Sequence, residues 1–351
     1  MNKYDLIGDI HGHLRSLQKL LIKLGYNLNT FSHPEGRQVV FLGDYIDRGP
    51  DSLGVLKLVK NFVDNGNAQA IMGNHELNAI SWYVIKDDGS EYCRPHSSKN
   101  RAQFQKTLDA FNQLPQSELD EWLNWMKALP LAIETEEFRA VHACWHPFFT
   151  QYYLDKYWGK TLDEDFIRRA SDPYDGAATP LLTESVAREN TDFWMIEVLL
   201  KGLQSTLPED ETFTDKGGTV RKEARLTWWK DLTKTSLNES LLGVEKEISH
   251  ELTTKFQDTL DPIFRISDQI FTVDQSPIFI GHYWRSPIEL PNNCQDVESF
   301  ELKALNHEAM TVNPLKKAIY CLDYSIAIHP ARGLGKLVAY QLDHQKAVAV
   351  G

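Results

Sequence analysis

Three short apolar runs in the first 80 residues each end in glycine followed by an acid or an amide: Tyr4-Asp-Leu-Ile-Gly-Asp9, Val39-Val-Phe-Leu-Gly-Asp44 and Ala70-Ile-Met-Gly-Asn74. Amphipathic stretches from Leu14 to Leu24 and from Leu53 to Val63 separate them. The stretches have helical spacing, whereas the runs have the length and composition of buried strands. This alternation predicts an α/β protein with helices packed on a sheet. Glycine lets the chain turn sharply at each strand end. The polar residue that follows lands at the carboxyl edge, where open α/β sheets bind ligands.

Strand-like runs recur at Phe138 to His142, Pro277 to His282, Ala318 to Asp323 and Leu337 to Leu342, so the tail is expected to rejoin the sheet begun at the N-terminus. Ile85 to Asn100 reads as a polar loop and Phe104 to Met126 as a helix. Residues 150–270 break the pattern, with several tryptophans, an acidic loop at Pro208 to Asp215 and a helical run from Leu241 to Leu260. The expectation is one domain over 1–351, with 150–270 as an inserted, mainly helical cap.

Apolar residues make up 42% of the chain and charged residues 25%, the proportions of a folded globular protein. With 37 basic against 49 acidic residues the net charge is −12, which disfavours a stable nucleic-acid complex built on counterion release. A phosphate ligand then needs a local positive source. There is no apolar run of about 18 residues, and Met1 to Gly12 holds no apolar leader segment. Cys93, Cys144, Cys294 and Cys321 form no Cys-x-x-Cys pair. A cytoplasmic protein without membrane contact is expected, and nothing in the chain specifies its oligomeric state.

Asp9-Ile10-His11 places two metal-capable side chains two residues apart, on one face if the backbone is extended. Asp44, Asn74, His142 and His282, each at the end of an apolar run, bring the set to six. Six such groups suit two cations better than one, and a carboxylate can bridge metals about 3.5 to 4 Å apart; Asp44 is the candidate bridge. Nitrogen and oxygen donors without thiolate suit manganese, iron or zinc rather than calcium or copper(I); of these, manganese is the expected cofactor. Two such ions would provide the positive charge that the chain as a whole lacks.

The segments Gly8-Asp9-Ile-His11-Gly12, Gly43-Asp44-Tyr-Ile-Asp47-Arg48-Gly49, Gly73-Asn74-His75-Glu76, Val141-His142-Ala143 and Gly281-His282 form an ordered five-part signature. It resembles the calcineurin-like metallophosphoesterases, particularly the phosphoprotein phosphatase branch with its bacterial serine/threonine phosphatase and diadenosine tetraphosphatase members. The likeness covers residues 4 to 145 and 277 to 342. It implies a four-layer αββα sandwich. One metal would be held by Asp9, His11 and Asp44, the other by Asp44, Asn74, His142 and His282. A metal-bridging hydroxide would attack phosphorus directly, His75 would protonate the departing oxygen, Asp47 would orient His75, and Arg48 with Asn74 would hold the phosphate. The implied activity is hydrolysis of phosphate monoesters, with phosphoproteins first and dinucleoside polyphosphates or polynucleotide ends as alternatives. A degenerate metal-binding interaction protein is the alternative of another class.

Gly281-His282-Tyr283-Trp284-Arg285 departs from the Gly-His-Thr of many relatives, and Asp323 matches a bacterial motif only in part. Arg225 and Arg285 compete as a second phosphate-holding arginine. Taken singly, Asp9 or Asp44 would pass as a helix cap, His142 or His282 as a core histidine, and Arg48 as a solvated charge. Trp228 and Trp229 read as core. Gly159-Lys160-Thr161 lacks the first glycine of a P-loop, whose place Leu154 takes. Outside the motifs, His146 is the histidine singled out for mutation.

Overall fold

The computed structural model describes residues 2–171, 183–207, 212–214, 220–232, 234–242, 263, 276–286, 300–305, 318–326 and 335–351. The chain opens with β1 (Tyr4–Ile7), α1 (Leu14–Lys23), β2 (Gln38–Phe41), α2 (Ser52–Asp64) and β3 (Ala68–Ala70). β1 pairs in parallel with β2, and β2 with β3. Helix α1 buries Leu17, Leu20 and Leu21, the stripe that spacing of three and four residues creates. Helix α2 begins where the Asp51 side chain accepts the Gly54 N–H at 2.8 Å, a cap of about 1 kcal/mol. The cap positions of α1 and α2 are His13 and Asp51, so neither Asp9 nor Asp44 is spent on capping these helices.

α3 (Asn74–Tyr83), α4 (Ser98–Phe111), α5 (Gln116–Lys127), β4 (Ala132–Glu134) and β5 (Arg139–Val141) follow. The single helix expected over Phe104 to Met126 is two, because Pro115 stands between them at the cap of α5. Proline has no N–H to give and clashes with the preceding turn. Helix α4 also takes the last residues of the expected Ile85 to Asn100 loop, starting after Ser97, whose hydroxyl accepts the Asn100 N–H at 3.2 Å.

The middle segment contributes α6 (Pro147–Lys156), α7 (Glu164–Arg169), α8 (Glu184–Glu189), α9 (Thr191–Lys201), β6 (Gln204–Thr206), β7 (Phe213–Thr214), β8 (Val220–Arg221), β9 (Glu223–Leu226), α10 (Leu237–Ser240) and β10 (Leu241–Leu242). Where described it carries short strands beside its helices: β10, β9 and β6 form a three-stranded sheet, and β7 pairs with β8. These strands are two to four residues long, too short for a periodic pattern to register. Most of Pro208 to Asp215, and the Leu241 to Leu260 run beyond Leu242, lie outside the described residues. Trp228 and Trp229 are buried, as expected of core.

β11 (Ile278–Ile280), β12 (Ile319–Cys321), β13 (Asp323–Tyr324), β14 (Lys336–Gln341) and β15 (Lys346–Val350) complete the chain. The tail divides between two sheets rather than rejoining one. The first has the order β13-β14-β1-β2-β3 with β15 on β14, and the second β12-β11-β5-β4. Alternate residues reveal how they sit. Leu6, Val40, Ala140, Phe279 and Tyr320, from five strands of both sheets, share one apolar cluster. Their neighbours Ile7, Phe41, Val141, Ile280 and Cys321 belong to another that also holds helix residues. Period-two alternation thus packs the two sheets through a common layer, sealed by an edge contact of the Tyr4 and Phe138 rings at 4.9 Å.

Asp5 faces the other way from Leu6 and meets Arg37, which donates to its two oxygens at 2.9 and 2.6 Å. The same guanidinium donates to Asp343 at 2.9 and 2.7 Å, and the Tyr26 hydroxyl donates to Asp5 at 2.7 Å. This buried network ties β1 to the turn before β15.

Candidate metal centre

The turns that follow β1, β2, β3, β5 and β11 converge. The first two are stitched together by backbone bonds: His11 N–H donates to Asp44 O at 2.8 Å, and Gly49 N–H to His11 O at 2.8 Å. Asp9-Ile10-His11 is therefore a turn, not the extended strip the spacing suggested, and His11 has φ of 46°. Among the described residues eight non-glycine residues have positive φ, and five of them are His11, Asp44, Asp47, Arg48 and His282. Such backbone costs about 1 to 3 kcal/mol per residue and persists only where surrounding structure imposes it. Two glycines allow the approach. A Cβ on Gly281 would stand 2.0 Å from Asp9 Oδ1, and one on Gly73 2.3 Å from Asp44 Oδ1.

The six expected ligands are buried or inward-facing and close together. Donor atoms of Asp9, Asp44 and His142 lie within 4.8 Å of one another, and so do those of His11, Asp44 and His75, with Asp44 common to both groups. Asn74 Oδ1 stands 3.1 Å from His142 Nε2 and 2.8 Å from His282 Nδ1. Backbone carbonyls set the rings: His11 Nδ1 donates to Ile46 O at 3.1 Å and His142 Nδ1 to Leu42 O at 2.7 Å. That leaves each Nε2 lone pair turned inward, the usual arrangement behind a metal-ligating histidine. His11 Nε2 and His282 Nε2 are buried with no hydrogen-bond partner. Buried polar atoms are seldom left so, and a divalent cation would satisfy them.

The electrostatics point the same way. Burial, with Asp323 and Asp44 nearby, pushes the Asp9 carboxyl well above its usual range. Burial would raise Asp44 too, but His142, His75 and His11 around it hold it well below. Burial opposes protonation of His142, yet Asp44 and Asp9 raise it to about 10. Burial and the Arg225 charge hold His282 well down. Buried carboxylates and imidazoles of opposed protonation tendency thus share one small cluster centred on Asp44.

His75 sits at the first turn of α3, with Nδ1 2.5 Å from Asp47 Oδ2 and Nε2 3.3 Å from Arg48 Nη2. Burial disfavours its protonation, but Asp44 and Asp47 raise it overall. The structure thus brings His75, Asp47 and Arg48 to the cluster, and groups His75 with His11 and Asp44.

Glu76 and Thr107 support the site without having been candidates on sequence grounds. Glu76, within a quoted motif, accepts the N–H groups of Asp44, Tyr45, Ile46 and Gly73 at 2.8 to 3.3 Å. It is a buried carboxyl pushed up to about 7 by burial and Asp44. Thr107, on α4, accepts Asp47 N–H at 3.0 Å and donates to Asp47 Oδ1 at 2.6 Å. Asp323 is buried, with Oδ1 accepting Ser325 N–H at 2.9 Å and Oδ2 unpartnered. His146 stands apart from both groups, with Nε2 2.8 Å from Ile263 O and burial lowering it to about 4. Tyr283 is buried, and its hydroxyl accepts from Trp228 Nε1 at 3.1 Å, anchoring the middle segment beside His282.

The family model described as calcineurin-like phosphoesterase matches residues 3–172. Asymmetrical bis(5′-nucleosyl)-tetraphosphatase PrpE of Oceanobacillus iheyensis is 52% identical over 75 residues, 21% of this chain and 30% of that protein. PrpE of a Geobacillus species is 44% identical over 147 residues, 40% of this chain and 56% of that protein. The chain therefore spans between 30% and 56% of the length of these relatives. A solved structure of a cold-active protein-tyrosine phosphatase from a psychrophilic Shewanella aligns over 99% of this chain and 77% of its own, at 16% identity and a TM-score of 0.42. Through residues 3–172, a little under half of its length, the chain is similar to the calcineurin-like phosphoesterases.

Proposed function

We propose that this protein hydrolyses phosphoric esters and anhydrides with the help of two divalent cations. The observation that carries the reading is the pair of buried donor groups that share Asp44. Asp9, His11 and Asp44 would hold one cation, and Asp44, Asn74, His142 and His282 the other. Bound there, the ions would supply an activated water and Lewis acidity at the phosphoryl oxygens. Manganese is the first choice, with iron or zinc as alternatives.

The chain's own groups account for the rest. Arg48 offers a planar fork to phosphate oxygens, beside the carboxamide of Asn74. His75, held at Nδ1 by Asp47, presents Nε2 toward Arg48 and Asp44. As water adds its oxygen to phosphorus and releases one proton to solvent, the bond to the departing oxygen breaks and that oxygen takes the His75 proton, which His75 then regains from solvent. No covalent phosphoenzyme is needed.

Resemblance to the phosphoprotein phosphatase branch put phosphoproteins first; the relatives just described reverse the order. Both are named as asymmetrical dinucleoside tetraphosphatases, so dinucleoside polyphosphates become the preferred substrate class. The reading extends to architecture, a four-layer αββα domain over 1–351 with 150–270 as an inserted cap, supported by the layer of side chains common to both sheets.

An initial-rate panel in manganese tests it. Diadenosine tetraphosphate should give the highest kcat/KM among phosphoserine, phosphothreonine and phosphotyrosine peptides and 3′-phosphorylated oligonucleotides, and a chelator should abolish turnover. Chelator-insensitive hydrolysis would sink the metal reading. A phosphopeptide preferred tenfold over the dinucleotide would restore the protein phosphatase.

A further inference from the structure

Ile22, Ile85, Trp158, Val220 and Trp284 are the large apolar side chains exposed among the described residues. Trp284 is the one that stands two residues after His282 with the Arg48 guanidinium carbon 4.6 Å from its ring centroid. Its neighbour Tyr283 is 2% exposed and packs at 5.1 Å against Trp229, whereas Trp284 is 48% exposed. Consecutive residues thus divide the work. Tyr283 anchors the segment, and Trp284 offers a flat aromatic surface to solvent at the rim of the metal centre.

Exposing an indole forfeits the stabilisation that burial would bring, so its place beside the phosphate-holding arginine calls for a ligand. The guanidinium over the ring orients it by a cation–π contact and leaves much of the indole open. We propose that Trp284 is a stacking platform for the nucleobase of the substrate, an inference that rests on the phosphoesterase reading above. Arg48 touches both the indole and His75. It therefore spaces the platform one guanidinium away from the group that protonates the departing oxygen. A ring bonded directly to that oxygen, as in a phosphotyrosine, belongs at His75 itself. A base carried on a ribose and further phosphates has the reach to lie on Trp284 while its phosphate chain passes Arg48. Every base has a π-face, so the platform selects nucleotides without selecting a particular base.

The test compares KM for diadenosine tetraphosphate with KM for inorganic tripolyphosphate, which has no base, in the full chain and in Trp284→Ala and Trp284→Phe. Base stacking of the usual strength predicts that Trp284→Ala raises the dinucleotide-to-tripolyphosphate KM ratio about tenfold or more. Trp284→Phe, which keeps a ring, should recover most of that loss. A ratio that moves less than twofold in Trp284→Ala, or equal losses on both compounds, overturns the platform while leaving the phosphoesterase standing. If the unaltered protein hydrolyses neither compound, the phosphoesterase reading falls instead. Equilibrium binding of AMP against inorganic phosphate then decides the platform separately, which fails if Trp284→Ala binds AMP as tightly as the unaltered protein.

Discussion

Two aspartates at the two ends of β1, Asp5 within the strand and Asp9 in the turn that follows it, are both buried, yet their surroundings are opposite. Asp5 receives two charge-assisted bonds from Arg37 and one from Tyr26, and Arg37 turns its other edge to Asp343. Asp9 receives backbone N–H from His282 at 3.1 and 3.2 Å and faces Asp44 and Asp323. One end of the strand is a closed ion pair. The other is a set of donors with strained backbone and orphaned imidazole nitrogens. A buried charge that finds its partner within the chain serves the fold, and one that does not is waiting for a partner from outside.

Asp44→Asn should break the open end most severely. Hydrolysis of diadenosine tetraphosphate should fall by more than about a hundredfold, beyond the usual cost of losing an outer metal contact, and manganese should no longer raise Tm. Retained activity and retained thermal shift would contradict the shared-ligand role. His75→Asn should lower kcat by about a hundred- to ten-thousandfold, the range for a lost general acid. The loss should be larger on poor leaving groups, while manganese still raises Tm. If the manganese shift disappears as well, His75 is a ligand with His11 and Asp44, as its grouping with them allows.

At the closed end, Arg37→Met should cost about 3 to 5 kcal/mol in urea unfolding, because Asp5 is left buried without its cation; kcat of the folded fraction should stay near that of the unaltered protein. A variant of full stability would show the network to be dispensable. Thr107→Val, between the two in kind, should lower stability by about 1 kcal/mol and kcat about tenfold, by loosening Asp47 behind His75. The smallest effect is in acid. Burial would raise Asp343, but its bonds from Arg37 hold it below the ordinary carboxylate range. Its contribution is therefore complete above the unfolded pKa of about 4 and is lost as pH falls through the folded value. Arg37→Met should flatten that part of the stability–pH curve, which chemical denaturation between neutral and acid pH would show.

Much of the centre was legible because its residues sit beside local signals. Gly8-Asp9, Gly43-Asp44 and Gly73-Asn74 follow apolar runs, and a strand end is a local property of the chain. Glu76 was in view without a role, since three of its four backbone N–H donors, those of Asp44, Tyr45 and Ile46, reach it only after β2 and α3 meet. Thr107 was invisible: it reaches Asp47 across 60 residues, and no spacing rule spans that distance. The two helices on either side of Pro115 looked like one because apolar periodicity continues across the proline.

By itself the sequence determined the alternation of strands and helices, the five polar turns and the donor types they carry, because each depends on neighbours within a few residues. The tertiary structure decided that β11 and β12 leave the first sheet for the second, that His11 and His142 turn Nε2 inward, and that Trp284 lies under Arg48. Those outcomes depend on contacts between residues tens to hundreds of positions apart, whose partners are chosen by packing and by the hydrogen bonds that packing permits.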